Sequence, residues 1–85
     1  MTVRFLQPFL RQYAKLPTAI RTKVERQVNY LARDIRHPGT HAKKMTGAGD
    51  IWEARVDYQH RLTFQVIDDV MVFRKVGAHD VLKQP

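Results

Sequence analysis

The spacing of apolar residues changes about halfway along this 85-residue chain, and that change limits the fold more than any other feature. Up to about residue 36 the apolar side chains recur every three or four positions, which is the period of an amphipathic helix. From Ile51 onward they alternate with polar side chains, which is the period of a half-buried strand. A chain of this length has room for one core, which both halves must share. We therefore predict a single α+β domain over residues 1–85.

Two helices are predicted in the first half, after a short strand over residues 3–6. Pro8 suits the first turn of a helix that runs to about Leu16. A second helix begins at Pro17, and the sequence His37-Pro38-Gly39 stops it. Because one junction alone separates the two helices, they must fold back on each other as a hairpin.

Three antiparallel strands are predicted in the second half, at residues 51–57, at residues 60–67 and from residue 70 onward. Asp68-Asp69 fits a two-residue hairpin turn between the last two strands. That turn places Phe64 opposite Phe73 and Thr63 opposite Arg74, so that partners on one face agree in character.

The connection between the first two strands is predicted to need three residues, Tyr58 to His60, which leaves His60 exposed. A two-residue loop would pair Arg55 with Leu62 and mix the two faces of the sheet. One face is then apolar and seats both helices, with a core that contains Trp52, Phe64 and Phe73. The other face is polar and collects Glu53, Arg55, Asp57, Arg61, Thr63, Gln65 and Arg74. This polar face is either an anion-binding surface or a solvated face with paired charges.

The net charge of +7 comes entirely from residues 1–44, which hold ten basic and two acidic residues, against five and six in residues 45–85. Such a basic excess attracts phosphate backbones or acidic protein segments, although an excess that only aids solubility has the same composition. The absence of cysteine excludes a disulfide scaffold, a thiolate nucleophile and a zinc site built on sulfur. No apolar run approaches a membrane span, so we expect a cytoplasmic protein without a membrane partner. No His, Asp and Glu residues show metal-ligand spacing, and no metal or other cofactor is predicted.

Four sequence motifs follow one another on the predicted elements: Tyr13-Ala14-Lys15-Leu16-Pro17, Lys43-Lys44-Met45-Thr46-Gly47 with Ile51-Trp52-Glu53-Ala54-Arg55-Val56, His60-Arg61-Leu62-Thr63-Phe64, and Val76-Gly77-Ala78-His79-Asp80-Val81-Leu82. In this order, and on a strand, a helical hairpin and a three-stranded meander, they resemble the RelE/ParE superfamily of bacterial toxins. The resemblance spans nearly the whole chain. It implies the RelE-like fold, with an N-terminal strand and a helical hairpin packed on one face of an antiparallel sheet.

The resemblance also implies a function, the toxin component of a type II toxin–antitoxin system. Such a toxin is a metal-independent endoribonuclease, or mRNA interferase, that cleaves messenger RNA on the ribosome. Its partners are a cognate antitoxin, mRNA and the ribosome, with operator DNA bound only through the antitoxin complex. The Gly77 and His79 pattern favours this nuclease branch. Two alternatives stay open: a ParE-like inhibitor of DNA gyrase, and an inert module that binds antitoxin or nucleic acid.

The catalytic roles that RNA cleavage requires each have a candidate residue. Arg55 and Arg61 can clamp a phosphate in bidentate fashion, and Lys44 adds positive charge. His79 can act as acid or base, and Glu53 as the base, unless it only neutralises Arg55. Lys43 and Arg74 are predicted to bind RNA. Where several nuclease members carry a late arginine and an aromatic residue after the histidine, this chain has Gly77 and Asp80, with Lys83 further on.

Overall fold

The computed structural model describes residues 1–85 and contains two helices packed on one face of a five-stranded mixed sheet. The helices are α1 (Gln7–Ala14) and α2 (Thr18–Arg33). The strands are β1 (Thr2–Phe5), β2 (Lys43–Lys44), β3 (Trp52–Arg55), β4 (His60–Ile67) and β5 (Val70–Ala78), in the spatial order β1-β5-β4-β3-β2. Two short 3-10 segments cover Pro38–Thr40 and His79–Lys83. The predicted α+β architecture with a helical hairpin on one sheet face is confirmed. No helix combines the length and the apolar character that a membrane crossing requires.

The structure differs from the prediction at both edges of the sheet. β1 pairs in parallel with β5, with Val3 opposite Met71, whereas a fully antiparallel sheet was predicted. A parallel pair needs a long connection, and most of the chain lies between these two strands. At the other edge, β2 has only two residues and pairs antiparallel with the start of β3. Two residues are too few to show an alternating pattern, so this strand was not predicted.

The hairpin between β4 and β5 forms as predicted at its turn and departs from the prediction further away. Asp68 and Asp69 make the two-residue turn with φ angles of 48° and 65°, the backbone of a type I′ turn. Phe64 lies opposite Phe73 as predicted. A β-bulge between Thr63 and Phe64 then shifts the register, so that Thr63 lies opposite Lys75 and not Arg74. The pairing of Thr63 with Arg74 was therefore wrong.

The loop between β3 and β4 is longer than predicted. β3 ends at Arg55 and β4 begins at His60, so the loop comprises residues 56–59 and the predicted three-residue loop was wrong. Arg55 lies directly opposite Arg61. The pairing is displaced by two residues, which preserves the predicted faces because side chains alternate with a period of two. His60 was predicted to be exposed in the loop, but it begins β4 and is half-buried.

The core lies between the helices and the apolar face of the sheet. Its buried members are Phe9, Val24, Val28, Leu31, Ala54, Val56, Leu62, Phe64, Met71, Phe73 and Val76. Phe64 and Phe73 are fully buried, as predicted. Trp52, also predicted as core, is only half-buried, because the two-residue β2 is all that lies beyond it in the sheet. Its ring stacks on Phe64 with centroids 5.9 Å apart.

Side-chain amides fasten the helices to the backbone of the sheet. Gln12 of α1 accepts a 2.9 Å hydrogen bond from the backbone N–H of Val76 on β5. Gln27 of α2, which is 5% exposed, donates to the carbonyl oxygens of Arg55 at 2.8 Å and Gly39 at 3.1 Å. The bonds from Gln27 tie both the end of β3 and the 3-10 segment after α2 to the second helix.

Candidate functional site

A polar cavity of about 500 Å³ opens on the sheet face that the helices leave uncovered. We call it the polar cavity. Its lining residues are His41, Ala42, Lys43, Glu53, Arg55, Arg61 and His79. Four of the five residues predicted as catalytic from the sequence, Arg55, Arg61, Glu53 and His79, therefore lie around one space. His41, which is not among the residues predicted as catalytic, also lines it.

Strand register accounts for the way these side chains meet. Lys43 of β2 lies opposite Glu53 of β3, and Arg55 of β3 lies opposite Arg61 of β4. Glu53 and Arg55 are two residues apart on one strand, so they project to the same face. The cavity is thus assembled from three adjacent strands.

His79 reaches the cavity because the chain turns sharply after β5. Gly77 lies opposite Arg61 on the neighbouring strand. A Cβ atom at Gly77 would come within 2.9 Å of the Val81 side chain, closer than packed carbon atoms approach. Glycine at this position therefore lets the 3-10 segment that begins at His79 return close to the sheet.

The charges of the polar cavity are not balanced within it. Lys43, Arg55 and Arg61 against Glu53 leave a net charge of +2 when the histidines are neutral. Like charges placed directly opposite each other on antiparallel strands are destabilising, and Arg55 and Arg61 have that arrangement. The ion pairs of the chain are Lys23–Asp57, Lys44–Asp50 and His60–Asp57, none of which includes a cavity residue. The arrangement suits an anion that contacts both arginines.

Arg61 is anchored to the loop that precedes it. Its Nη1 donates to the carbonyl oxygens of Asp57 at 2.8 Å, His60 at 2.9 Å and Tyr58 at 3.3 Å. A guanidinium has five N–H donors, so the use of one nitrogen fixes the orientation of the group and leaves donors for a ligand. Arg61 is half-buried, whereas Arg55 is exposed.

Asp57 organises that same loop, although it was predicted only as a member of the polar sheet face. Its Oδ1 accepts hydrogen bonds from the backbone N–H groups of Gln59 at 2.9 Å and His60 at 2.8 Å, and it lies 2.9 Å from Nδ1 of the His60 ring. Burial alone would raise the pKa of Asp57, but the hydrogen bonds from the His60 ring and from the two backbone N–H groups outweigh burial and lower it. Lys23 of α2 approaches the other carboxylate oxygen at 3.6 Å. An aspartate that bonds to backbone two residues on is a recognised turn signal, and it marks this loop in the sequence.

Two predicted site residues lie outside the polar cavity. Lys44 is opposite Trp52 and so projects to the other face from Lys43, with its Nζ 3.9 Å from Asp50. Arg74 is half-buried and donates to the carbonyl oxygen of Pro85 at 3.1 Å and to the Gln65 side chain at 2.6 Å. Of the two adjacent lysines, Lys43 is the one placed beside the candidate catalytic groups.

A second concave surface, which is apolar, lies between the two helices. Its volume is about 400 Å³, and its lining residues are Phe5, Phe9, Leu10, Tyr13, Val24, Glu25, Val28 and Asn29. We call it the interhelical groove. The Tyr13 hydroxyl donates to the Glu25 carboxylate across it, and this hydrogen bond, with some burial, raises the pKa of Tyr13.

Comparison with known proteins gives matches in structure alone. No family model matches the chain, and no curated protein matches its sequence. The YoeB/ParE toxin from Agrobacterium tumefaciens superposes with a TM-score of 0.82 at 13% identity, over 93% of this chain and 99% of that one. RelE in the RelB-RelE antitoxin-toxin complex from Methanococcus jannaschii gives 0.77 at 17% identity, with 95% of each chain covered. The isolated E. coli RelE toxin gives 0.73 at 21% identity, over 98% and 92%. The chain therefore has the fold of the RelE/ParE-superfamily toxins, as its sequence motifs predicted.

Proposed function

We propose that this chain is the toxin of a toxin–antitoxin pair and that it cleaves RNA at the polar cavity. The observation that carries the proposal is the pair of arginines on facing strands, with a carboxylate and an imidazole around the same cavity. The shared fold with RelE and YoeB/ParE toxins supports it. Messenger RNA on the ribosome is the proposed substrate, on the basis of the sequence motifs.

The proposed reaction is the transesterification that RNA undergoes without a metal ion. The 2′-oxygen of one nucleotide attacks the adjacent phosphorus, and the bond from phosphorus to the 5′-oxygen breaks. Glu53 takes the proton of the 2′-hydroxyl, and His79 gives a proton to the departing 5′-oxygen. The products are a 2′,3′-cyclic phosphate and a 5′-hydroxyl end.

The cations of the polar cavity have a separate role in this reaction. Arg55 and Arg61 donate to the non-bridging phosphate oxygens, where negative charge grows as the fifth bond to phosphorus forms. The planar guanidinium suits these two-point contacts better than an ammonium does. Lys43 adds positive charge at the rim of the cavity.

The proposed antitoxin binds elsewhere on the chain, through an acidic amphipathic segment. The interhelical groove presents apolar side chains, and Phe5 and Leu10 beside it are 39% and 42% exposed. The two helices around it carry five of the ten basic residues found in the first 44 positions. An apolar groove in a basic surface suits the apolar face of a helix with acidic flanks. Co-expression of such a partner is expected to relieve growth arrest caused by the chain alone.

The test of the catalytic proposal is cleavage of RNA by the purified chain or by its ribosome complex, in the presence of EDTA. End analysis should find 2′,3′-cyclic phosphates. Arg55→Ala and His79→Ala alter exposed side chains and should each lower the rate by roughly 10² to 10⁴ without unfolding the chain. Arg4→Ala is the matched control, because it removes an exposed charge from β1, at the far edge of the sheet.

Three results would contradict the proposal in different ways. A requirement for a divalent ion would overturn the assignment of the proton transfers to Glu53 and His79, since the ion would activate the hydroxyl. Induction that causes a DNA damage response with intact transcripts would indicate gyrase as the target. Induction with neither effect would indicate a binding module.

A further inference from the structure

Tyr58 differs from every other aromatic residue of the chain. The sequence has eight aromatic residues, comprising one Trp, three Tyr and four Phe. Seven of them pack against another aromatic ring, six in contacts with each other and Tyr30 against the imidazole of His37. Tyr58 has no such contact and is 93% exposed. Its ring therefore contributes little to the stability of the fold.

The backbone that carries this exposed ring is nevertheless held firmly. The Asp57 carboxylate bonds to the N–H groups of the two residues that follow Tyr58. Arg61 bonds to the carbonyl oxygens of Tyr58 and of residues on both sides of it. A ring presented on a fixed backbone loses less conformational entropy when a ligand binds than a ring on a mobile loop does.

The backbone of Tyr58 is hydrogen-bonded to one of the residues that line the polar cavity. Its carbonyl oxygen lies 3.3 Å from Nη1 of Arg61, and Arg61 lines the cavity. On the α2 side, the Lys23 ammonium approaches Asp57, the residue before Tyr58. Basic side chains therefore contact the backbone of Tyr58 and the residue before it. Proteins bind single-stranded nucleic acid by combining exposed rings, on which bases stack, with basic side chains that bind phosphates.

We propose that Tyr58 stacks on a base of the RNA strand whose phosphate is bound by Arg55 and Arg61. The inference rests on the proposed function, because it requires RNA in the polar cavity. Tyr58 then holds a nucleotide next to the one that reacts, and it acts on RNA binding and takes no part in proton transfer. Since every base has a stacking face, this contact tolerates many sequences.

The first test is the affinity of a fluorescently labelled single-stranded RNA that carries 2′-O-methyl groups at every position and so cannot be cleaved. Tyr58→Ala should weaken binding by about 5- to 150-fold, the range that loss of one stacked base produces. Tyr58→Phe should bind within about twofold of the unaltered chain, because the stacking ring remains. Gln59→Ala, at the exposed neighbouring position, is the control and should leave the affinity unchanged.

The second test locates the stacked base. 2-Aminopurine placed at successive positions of the same RNA should lose fluorescence at one position when the complex forms, because stacking on a ring quenches it. Tyr58→Ala should remove the quenching at that position, and Tyr58→Phe should keep it. A residue with a purely structural role would not move this signal.

The outcomes separate this inference from the proposed function. If the unaltered chain binds the RNA no better than Arg55→Ala does, the RNA site is wrong and the stacking falls with it. If binding depends on Arg55 but Tyr58→Ala binds equally well, the stacking alone is overturned. If Tyr58→Ala instead weakens binding to a partner protein, the ring is a protein contact. Thermal melting of Tyr58→Ala should match the unaltered chain, and a melting temperature lower by several degrees would show that the ring packs on the fold and would also overturn the inference.

Discussion

Replacement of Arg55 and replacement of Arg61 are expected to change the stability of the fold in opposite directions, although both side chains line the polar cavity. Arg61 donates to three loop carbonyl oxygens at 2.8, 2.9 and 3.3 Å. Hydrogen bonds from a charged donor contribute about 1.5–3 kcal/mol, and three bonds that share one nitrogen count together as about one such contribution. Arg55 is exposed and belongs to none of the ion pairs of the chain.

The repulsion between the two arginines modifies both values. Like charges directly opposite on a sheet destabilise by about 0.2–1 kcal/mol, and either substitution to alanine removes this repulsion. Arg61→Ala should therefore lower the free energy of unfolding by about 0.5–2.8 kcal/mol in total. Arg55→Ala should raise it by up to about 1 kcal/mol.

Urea denaturation at pH 7 and low ionic strength, followed by Trp52 fluorescence, measures both changes by linear extrapolation. For a domain of this length each kcal/mol corresponds to about 4–8 °C in melting temperature, so a thermal scan checks the result. The gain in Arg55→Ala should shrink in about 0.5 M salt, because exposed charges are screened. Added phosphate should stabilise the unaltered chain more than Arg55→Ala, since the pair of arginines forms the proposed anion site.

The reasoning is refuted if Arg61→Ala lowers the free energy of unfolding by less than about 0.5 kcal/mol. It is also refuted if Arg55→Ala lowers the free energy of unfolding by more than about 0.5 kcal/mol, where an increase is expected. The first result would mean that the loop does not depend on the Arg61 guanidinium. The second would mean that Arg55 has a stabilising partner within the chain. The difference also decides how activity data are interpreted, because Arg55→Ala tests the phosphate contact without a change in the fold.

Three further outcomes follow from burial, register and pKa. The free energy of unfolding should decrease as the pH falls below about 4, because the lowered pKa of Asp57 stabilises the fold at higher pH and protonation of Asp57 removes that contribution. Urea titrations at several pH values should show a smaller decrease in Asp57→Asn, and an equal decrease would contradict the assignment. Phe64→Ala should lower the free energy of unfolding by about 3–5 kcal/mol, and Trp52→Ala should lower it clearly less, because Trp52 is only half-buried. Denaturation followed by circular dichroism measures both losses, and equal losses would place Trp52 in the core. Lys43→Ala should lower kcat/KM for RNA more than Lys44→Ala, since Lys43 faces the cavity, and the reverse order would argue against the register of β2.

The parts of the fold that the sequence predicted depend on neighbours along the chain. The two hydrophobic periods identified the helical hairpin and the strands of the meander, and Asp68-Asp69 identified its turn, because each signal lies within one element or one hairpin. The parallel pairing of β1 with β5 joins residues almost 70 positions apart, and no local pattern records it. The β-bulge at Thr63 was not predicted for a similar reason. Alternation along β4 is unbroken there, and the extra residue lies on β5.

The same distinction separates the residues of the candidate site that the sequence predicted from those that it did not. Glu53, Arg55 and Arg61 were predicted together because they alternate on strands with a clear period, and the residues share a face whichever even shift of register applies. His79 came from the resemblance of its segment to the toxin family. Lys43 and Lys44 could not be separated, since only the pairing of β2 with β3 shows which of them projects towards Glu53.

The choice left open by the sequence was between an anion-binding surface and a solvated face with paired charges. On a solvated face, arginines and carboxylates are free to pair, and the loss of any one pair costs little. Here the ion pairs of the chain lie outside the polar cavity, while Arg55 and Arg61 stand opposite each other without a counter-charge between them. The backbone beneath them is fixed at the same time, by the Gln27 amide on the carbonyl of Arg55 and by the bonds of Arg61 to its loop. A rigid backbone that holds two like charges together destabilises the unbound state, and an anion that binds both arginines removes the repulsion. This favours the anion-binding surface over the solvated face with paired charges.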